Sequence, residues 1–472
     1  MKILLTGSTG YIGRRLKQKL LEDKDIELKL LVRNKKSVCE LSKKVEIIEG
    51  DTFNKDALKI ALQDVDTAYY LIHSLSNENY KDLDKISAQN FLDVAVECGV
   101  KRIIYLGGLG VKNDNTSEHL LSRIETGEIL SSNKNIQTIW FRAGIIIGSG
   151  SASFEIIRNL TEKLPIMTTP KWVDTMAQPI CIKDVLSYLQ EAIKLEYKEN
   201  LIVDIGSKAL SYKEMMIKTA TALGLKRVII PLPFMSINIS SYWLNLFTPV
   251  PFSVAKALIE GLKSEVTIQN DNAKKYFANI IPISYEDSVK NAIKEIEQNQ
   301  VISRWNDTTD GVWEKNSSNE ISQALYIDRK EENISNLEAK KVYESFTSIG
   351  GENGWFAFDF LWEIRGFIDK MIGGVGLKRG RRSQCDLRIS DCLDFWKVVD
   401  LKENERLLLY AQMKLPGEAW LEFKIKDNKL IQSAYFYPKG VFGRLYWYSL
   451  VPLHYFIFKN MIKSIIKKAS TL

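Results

Sequence analysis

Short apolar runs recur through the first half of the chain, with helically spaced stretches between them. They lie at 2–6 (KILLT), 27–32 (ELKLLV), 45–48 (VEII), 67–72 (TAYYLI), 102–107 (RIIYLG), 137–141 (QTIWF) and 201–205 (LIVDI). Unbroken apolar strands alternating with helices predict a parallel sheet buried on both faces. Ile12, Leu16 and Leu20 fall at i, i+4 and i+8 and give the first helix one inward face. The expected fold over 1–300 is an α/β, Rossmann-type doubly wound parallel sheet, with 206–300 as its less regular, substrate-side part.

The stretch 301–325 is polar and turn-rich (NDTTDGVWEKNSSNE) and reads as a linker. Beyond it the rhythm changes. Leu421, Phe423 and Ile425 alternate with Glu422, Lys424 and Lys426, the pattern of a half-buried antiparallel strand. Asp427-Asn428 supplies a turn into a second strand over 430–437, and an aromatic-rich helix closes the chain over 442–469. Residues 326–472 therefore read as a separate α+β domain. Its stretch 360–372 is apolar on more than one face, which predicts a deeply buried helix or one covering an apolar ligand.

Composition narrows the classes. With 472 residues, 45% hydrophobic and 26% charged, the chain is long enough for two or three domains and is not disordered or fibrous. The net charge of +7 permits an anionic ligand or lipid surface, but without a recognisable module nucleic-acid binding is not expected. Five scattered cysteines without a C-x-x-C pair argue against a disulfide scaffold or zinc module and fit a reducing compartment. Three histidines leave no basis for a metal site. The N-terminus shows no signal peptide and no run spans a bilayer, so a cytoplasmic location is expected. The basic run Lys378, Arg379, Arg381 and Arg382 reads as a solvated loop. The aromatic segment Leu445–Phe458, followed by KNMIKSIIKKA, reads either as a helix closing its own domain or as a peripheral contact with the inner face of the cell membrane. Oligomeric state is not legible.

The strongest chemical signal is TGSTGYIG. Gly7, Gly10 and Gly13 sit directly after the first strand, at the opening of the first helix. Glycines let backbone approach a pyrophosphate, and a helix N-terminus offers unpaired N–H groups and a positive dipole end. Gly7, Ser8, Thr9, Gly10, Tyr11, Ile12 and Gly13 are thus the expected cofactor cradle. The second strand ends in Val32-Arg33-Asn34 with no acid for a ribose diol. Arg33 can grip a 2′-phosphate, so NADP(H) is favoured, with NAD(H) as the alternative.

These stretches, with LVRN, YYLIHS, SEHLLSRIETGEIL, FRAGIIIGSGSASFEIIRNL, TPKWVDTMAQPICIKDV and SSYWLNLFTPVP, resemble the atypical short-chain dehydrogenase/reductases of the NmrA-like and YbjT-like group. The resemblance implies that Asp51 meets the adenine, that Leu71, Ile72 and His73 line the cofactor groove, and that Arg142 passes beside the nicotinamide. It places Gln178 and Pro179 in the substrate-side loop. The chain departs from the family at the catalytic set. Gly107 and Gly108, expected among the cofactor-binding residues, stand where the serine normally is, and His119 and Arg123 replace the Y-x-x-x-K pair at the same spacing. Imidazole is a competent proton carrier and Arg123 can bind ribose or phosphate oxygens. His119 and Arg123 are therefore the catalytic candidates, although a solvent-facing His119 fits the sequence equally well. The C-terminal domain resembles the uncharacterised domain fused behind such reductases and, in outline, START-like helix-grip folds with a hydrophobic pocket. Two functions stay open: an NADPH-dependent oxidoreductase acting on a hydrophobic quinone, enone or ketone, and a catalytically inactive NADP(H)-binding sensor or lipid-binding regulator.

Overall fold

The computed structural model describes all residues except 39–44, 74–79, 113–115, 233–260, 262–264, 299, 306–323, 378–379 and 384–385. Cys39, Cys385, Lys378, Arg379 and the stretch SSYWLNLFTPVP lie outside the described residues. The chain divides into two units, Met1–Thr308 and Thr309–Leu472.

The first unit is built on β1 (Lys2–Thr6), α1 (Tyr11–Glu22), β2 (Glu27–Val32), β3 (Val45–Glu49), α2 (Lys55–Leu62), β4 (Thr67–Tyr70), α3 (Tyr80–Glu97), β5 (Arg102–Gly108), α4 (Glu118–Leu130) and β6 (Gln137–Ala143). With the edge strand Leu201–Ile205, these strands form a seven-stranded sheet whose order from that edge is β6, β5, β4, β1, β2, β3. Every pairing in it is parallel. Ile3, Leu5, Leu28 and Leu30 pack on one face, Leu4, Leu31, Ala68 and Tyr70 on the other, so both faces are buried as the unbroken runs required. The chain order reverses between β1 and β4, which is where such sheets bind ligands. The fourth strand ends at Tyr70, two residues earlier than its apolar run. There Thr6 Oγ1 donates to the Tyr69 carbonyl and accepts from the Leu71 N–H, turning the chain out of the sheet.

Residues 301–305 do not behave as linker. Val301 and Ser303 are buried, and the Ser303 hydroxyl donates to the Tyr11 carbonyl while accepting from Arg15 Nε. The polar composition that suggested a linker lies mostly in 306–323, outside the described residues.

The second unit is a six-stranded antiparallel sheet, in order Tyr326–Asn333, Lys429–Pro438, Gly417–Lys426, Arg406–Ala411, Trp396–Lys402 and Cys392–Leu393. Asp427 and Asn428 both have positive φ, the geometry of a two-residue hairpin turn. The helices Ala339–Thr347 and Gly440–Ala469 cover one face, where Phe346, Phe423, Met461 and Ile465 fill the core. The other face is not simply solvated. Glu422 is buried, holding Arg406 Nε at 2.6 Å and the Tyr435 hydroxyl at 2.8 Å. Nor are Arg381 and Arg382 of the basic run solvated: Arg381 donates to the carbonyls of Thr347, Ile349 and Ser383, and Arg382 forks onto Asp391. The helix Asp359–Met371 overturns a third expectation: it is not deeply buried, because Phe360, Ile364, Phe367 and Ile368 are exposed.

Candidate functional site

The glycine loop closes at the switch point. Gly7 has φ +67°, and a Cβ there would stand 2.4 Å from the Leu71 carbonyl oxygen; one on Gly13 would stand 2.1 Å from the Gly7 oxygen. The first needs a left-handed backbone and the second a bare helix turn, so only glycine fits either place. Gly10 caps α1 without a side-chain bond, and the first backbone bond runs from Arg14 N–H to its carbonyl. The N–H groups ahead of it have no partner within the helix. The Ser8 hydroxyl is buried and unpartnered. Narrow backbone, free N–H groups and a waiting hydroxyl fit a pyrophosphate. From below, Arg15 braces the loop through the Ser149 carbonyl and hydroxyl at 2.9 Å and through Ser303 and Glu295, a support the sequence reading missed.

The remaining cofactor candidates divide. Arg33 is exposed at the end of β2. Asp51 Oδ1 accepts from the N–H groups of Phe53 and Asn54, so this carboxylate caps the turn into α2. Arg142 does not present its guanidinium to a ligand: it forks onto the fully buried Asp204 at 2.6 and 2.9 Å, tying β6 to the edge strand. The Gln178 side chain is likewise occupied, by the Ser207 carbonyl and the Ile268 N–H.

The catalytic candidates do come together. His119 Nδ1 lies 3.0 Å from His73 Nε2, and His73 Nδ1 lies 2.7 Å from Asp84 Oδ2. The Ser122 hydroxyl donates to the same oxygen at 3.0 Å. Asp84 is buried on the inner face of α3 with Ser87, Ala88 and Phe91. An acid among those positions was the available signal, since a buried carboxylate must be partnered. A carboxylate only accepts, so His73 carries its proton on Nδ1. A neutral His73 then accepts at Nε2 from His119 Nδ1–H, and His119 Nε2 is left with a lone pair. Burial holds both imidazoles below the usual histidine range, most strongly His119, and Arg123 pushes the same way; for His73, Asp84 opposes it. The pair is neutral at pH 7.

Arg123 stands beside them. Its Nε is buried without a partner, and among the described residues its guanidinium meets no carboxylate. A Cβ on Gly108 would stand 2.6 Å from Leu120 Cδ1 and 3.3 Å from Arg123 Cδ, so these two side chains fill the space that a serine side chain would take there. A Cβ on Gly107 would meet the Trp140 indole nitrogen at 2.5 Å, so packing against Trp140 requires glycine there. Among the described residues no cluster of three or more His, Cys, Asp or Glu side chains offers a metal site.

The first unit thus carries an NAD(P)H-binding domain of Rossmann type, followed by a separate domain of antiparallel sheet and helix. Residues 7–138 match the family described as NAD(P)H-binding, and residues 321–461 match a family described as a protein of unknown function, DUF2867. The auxiliary protein GraX of Staphylococcus aureus is 30% identical over 119 residues, 24% of this chain and 38% of GraX. An uncharacterised chloroplastic protein of Arabidopsis thaliana is 24% identical over 238 residues, 44% of this chain and 70% of its own length. The solved structure of a nucleoside-diphosphate-sugar epimerase from Staphylococcus aureus superposes with TM-score 0.50 at 19% identity, over 61% of this chain and all of that one. That likeness concerns the fold alone.

Proposed function

We propose that the chain is an NADP(H)-dependent oxidoreductase in which His119 exchanges a proton with a small hydrophobic carbonyl compound of the quinone, enone or ketone class. A bound nicotinamide supplies or takes up the hydride. The loop fits it: Gly7, Gly13 and the opening turn of α1 would hold the pyrophosphate, Ser8 would donate to it, and Arg33 would select the 2′-phosphate form. The observation that carries the reading is the chain Asp84–His73–His119, which ends in an open Nε2 lone pair beside Arg123, whose buried Nε has no partner among the described residues. In the oxidative direction the substrate hydroxyl gives its proton to His119 Nε2 as its carbon gives up hydride. Nδ1–H passes to His73 Nε2, and the His73 proton passes to Asp84. Reduction runs the same chain backwards, starting from protonated Asp84. Arg123 holds an anionic oxygen, of cofactor or substrate, in register with His119.

A second reading is a nucleotide-binding sensor without turnover. It is favoured by Leu120 and Arg123 filling the serine's place. Calorimetric titration with NADPH and NADH, followed by NADPH oxidation with a panel of quinones, enones and ketones, separates the two. The oxidoreductase reading expects turnover that His119→Gln abolishes with NADPH affinity unchanged. Tight NADPH binding with no turnover on any compound hands the case to the sensor. An Arg33→Ala variant that weakens NADPH and NADH equally removes the 2′-phosphate assignment.

A further inference from the structure

Two helices of the second unit turn their apolar sides outward. In Asp359–Met371, the side chains of Phe360, Ile364, Phe367, Ile368 and Met371 lie within one stripe at helical spacing, and each is exposed, Phe367 by 57%. The inner side is pinned. The buried Asp369 accepts from the N–H groups of Gly376 and Lys414, Arg365 donates to the Lys414 carbonyl, and Lys414 Nζ donates to the Ile372 carbonyl. The outward stripe is therefore fixed by the fold rather than by chance placement.

The first half of the C-terminal helix does the same. Gly443 and Trp447 face the sheet, with Trp447 stacked on Phe436 and Tyr326 at 5.6 and 5.5 Å. Around the rest of the helix, Val441, Phe442, Leu445, Tyr448, Leu453 and Phe456 are exposed, Phe442 by 81%. With Val451, which is exposed as well, these positions span about 200° at 100° per residue, more than half of the circumference. The C-terminal end of the first helix and the start of the second are held at one corner. Lys414 holds the first, while two residues on the Pro416 carbonyl accepts from Lys439 N–H and lies against Gly443 at the start of the second.

Charge says what covers this corner. The helix Gly440–Ala469 contains Arg444, Lys459, Lys463, Lys467 and Lys468 and no acidic residue. Tyr455 stands between Lys330 and Lys459, 5.3 and 5.4 Å from its ring, where the apolar half meets the basic half. Aromatic rings with lysines at the border of an apolar surface suit the boundary between headgroups and acyl chains. A second copy of the chain would bring one acid-free basic helix against another. A helical partner would also cover a stripe only about 100° wide, less than this helix exposes. Among the described residues no helix is long and apolar enough to cross a membrane, so the fit is to its surface.

We infer that the corner formed by Asp359–Met371 and the first half of Gly440–Ala469 docks onto an anionic phospholipid bilayer, its phenyl groups entering the acyl boundary and its lysines meeting the headgroups. The inference is independent of the oxidoreductase reading. The test is flotation of the full chain with vesicles of phosphatidylcholine alone and of phosphatidylcholine with an equal part of phosphatidylglycerol. The wild type floats with the anionic vesicles, and at least about tenfold less with the neutral ones or in high salt. Two double variants, Phe360→Ser with Phe367→Ser and Phe442→Ser with Phe456→Ser, each lower partitioning by about 100-fold, since each withdraws two phenyl groups from the acyl boundary. All four side chains are exposed, so the thermal midpoint stays put. Absence of wild-type binding to either vesicle overturns the inference, and so does wild-type binding by both variants. A concentration-dependent dimer that the serine variants abolish, without vesicle binding, assigns the corner to a second copy instead.

Discussion

Replacing Asp84 by Asn tests the histidine chain without assuming any substrate. In the wild type, Asp84 Oδ2 accepts from both His73 Nδ1 and the Ser122 hydroxyl, and a carboxylate offers no hydrogen to either. A hydrogen bond to a charged group contributes about 1.5–3 kcal/mol, which favours the Nδ1–H form of His73 by about one to two powers of ten. Through the 3.0 Å contact the same choice is imposed on His119. Asn presents either an oxygen or an NH2 group at that place, so the preference collapses toward a mixture. Asp84 is also the group that raises the proton affinity of His73 against burial and Arg123, so removing its charge moves the titration of the pair further down. The assay is two-bond 1H–15N correlation of ring-labelled histidine. His73, His119 and His454 are the three histidines of the chain, so two single substitutions assign every ring. The expectation is one dominant Nδ1–H tautomer on both His73 and His119 at pH 7, mixed in the variant. A wild-type His73 protonated on Nε2, or ring signals unmoved by the substitution, would refute the direction of the chain and the role of Asp84 with it.

Three further outcomes follow from measured contacts. Gly13→Ala forces a methyl to within 2.1 Å of the Gly7 carbonyl oxygen, so at a cost of about 1–3 kcal/mol or more the loop opens; calorimetry should show NADPH affinity down at least tenfold. Asp204→Asn leaves Arg142 without its counter-charge in the core and should lower stability by about 3–5 kcal/mol in urea unfolding. The double variant Asp204→Leu with Arg142→Met should recover much of that loss. His454 is held down to about 4 by burial in the second unit. The unfolded chain takes up its proton near 6.5 and the native one does not, so stability falls as pH drops between those values, by about 3 kcal/mol at pH 4. A His454→Phe variant should lack that part of the acid sensitivity.

The parallel sheet was legible because its inner strands are buried on both faces, which writes unbroken apolar runs into the chain. The hairpin at Asp427-Asn428 was legible because a two-residue turn with positive φ selects those residue types. Glu422 and the Arg381–Arg382 segment were misread for one physical reason. Charged side chains suggest solvent, yet here each finds a partner that only the folded chain brings near: Arg406 for Glu422, Asp391 for Arg382. Arg142 is the same case inside the site. The resemblance sets it beside the nicotinamide, and Asp204, 62 positions away, already engages its guanidinium. His119 and Arg123 were singled out because the resemblance aligns them with a Y-x-x-x-K pair. Asp84 was not, because its significance rests on His73 arriving from another loop. The outward stripe of Asp359–Met371 was visible as a pattern but not as an orientation, since helical periodicity fixes which residues share a face and not what lies against it.

The histidine chain and the apolar corner bear on one question, the phase from which a substrate arrives. Quinones and other hydrophobic carbonyl compounds partition into bilayers, so a reductase that rests on a bilayer meets them at far higher concentration than one free in water. In that case anionic vesicles raise kcat/KM for a long-chain quinone and leave a short, water-soluble analogue unchanged. The Phe442→Ser with Phe456→Ser variant loses the increase while its rate on the soluble analogue stays at the wild-type level, because both side chains are exposed and belong to the second unit, whereas His119 and the glycine loop belong to the first. Equal stimulation of both compounds would mean that lipid acts on the protein rather than on substrate supply, and the link between the corner and the chemistry would fail.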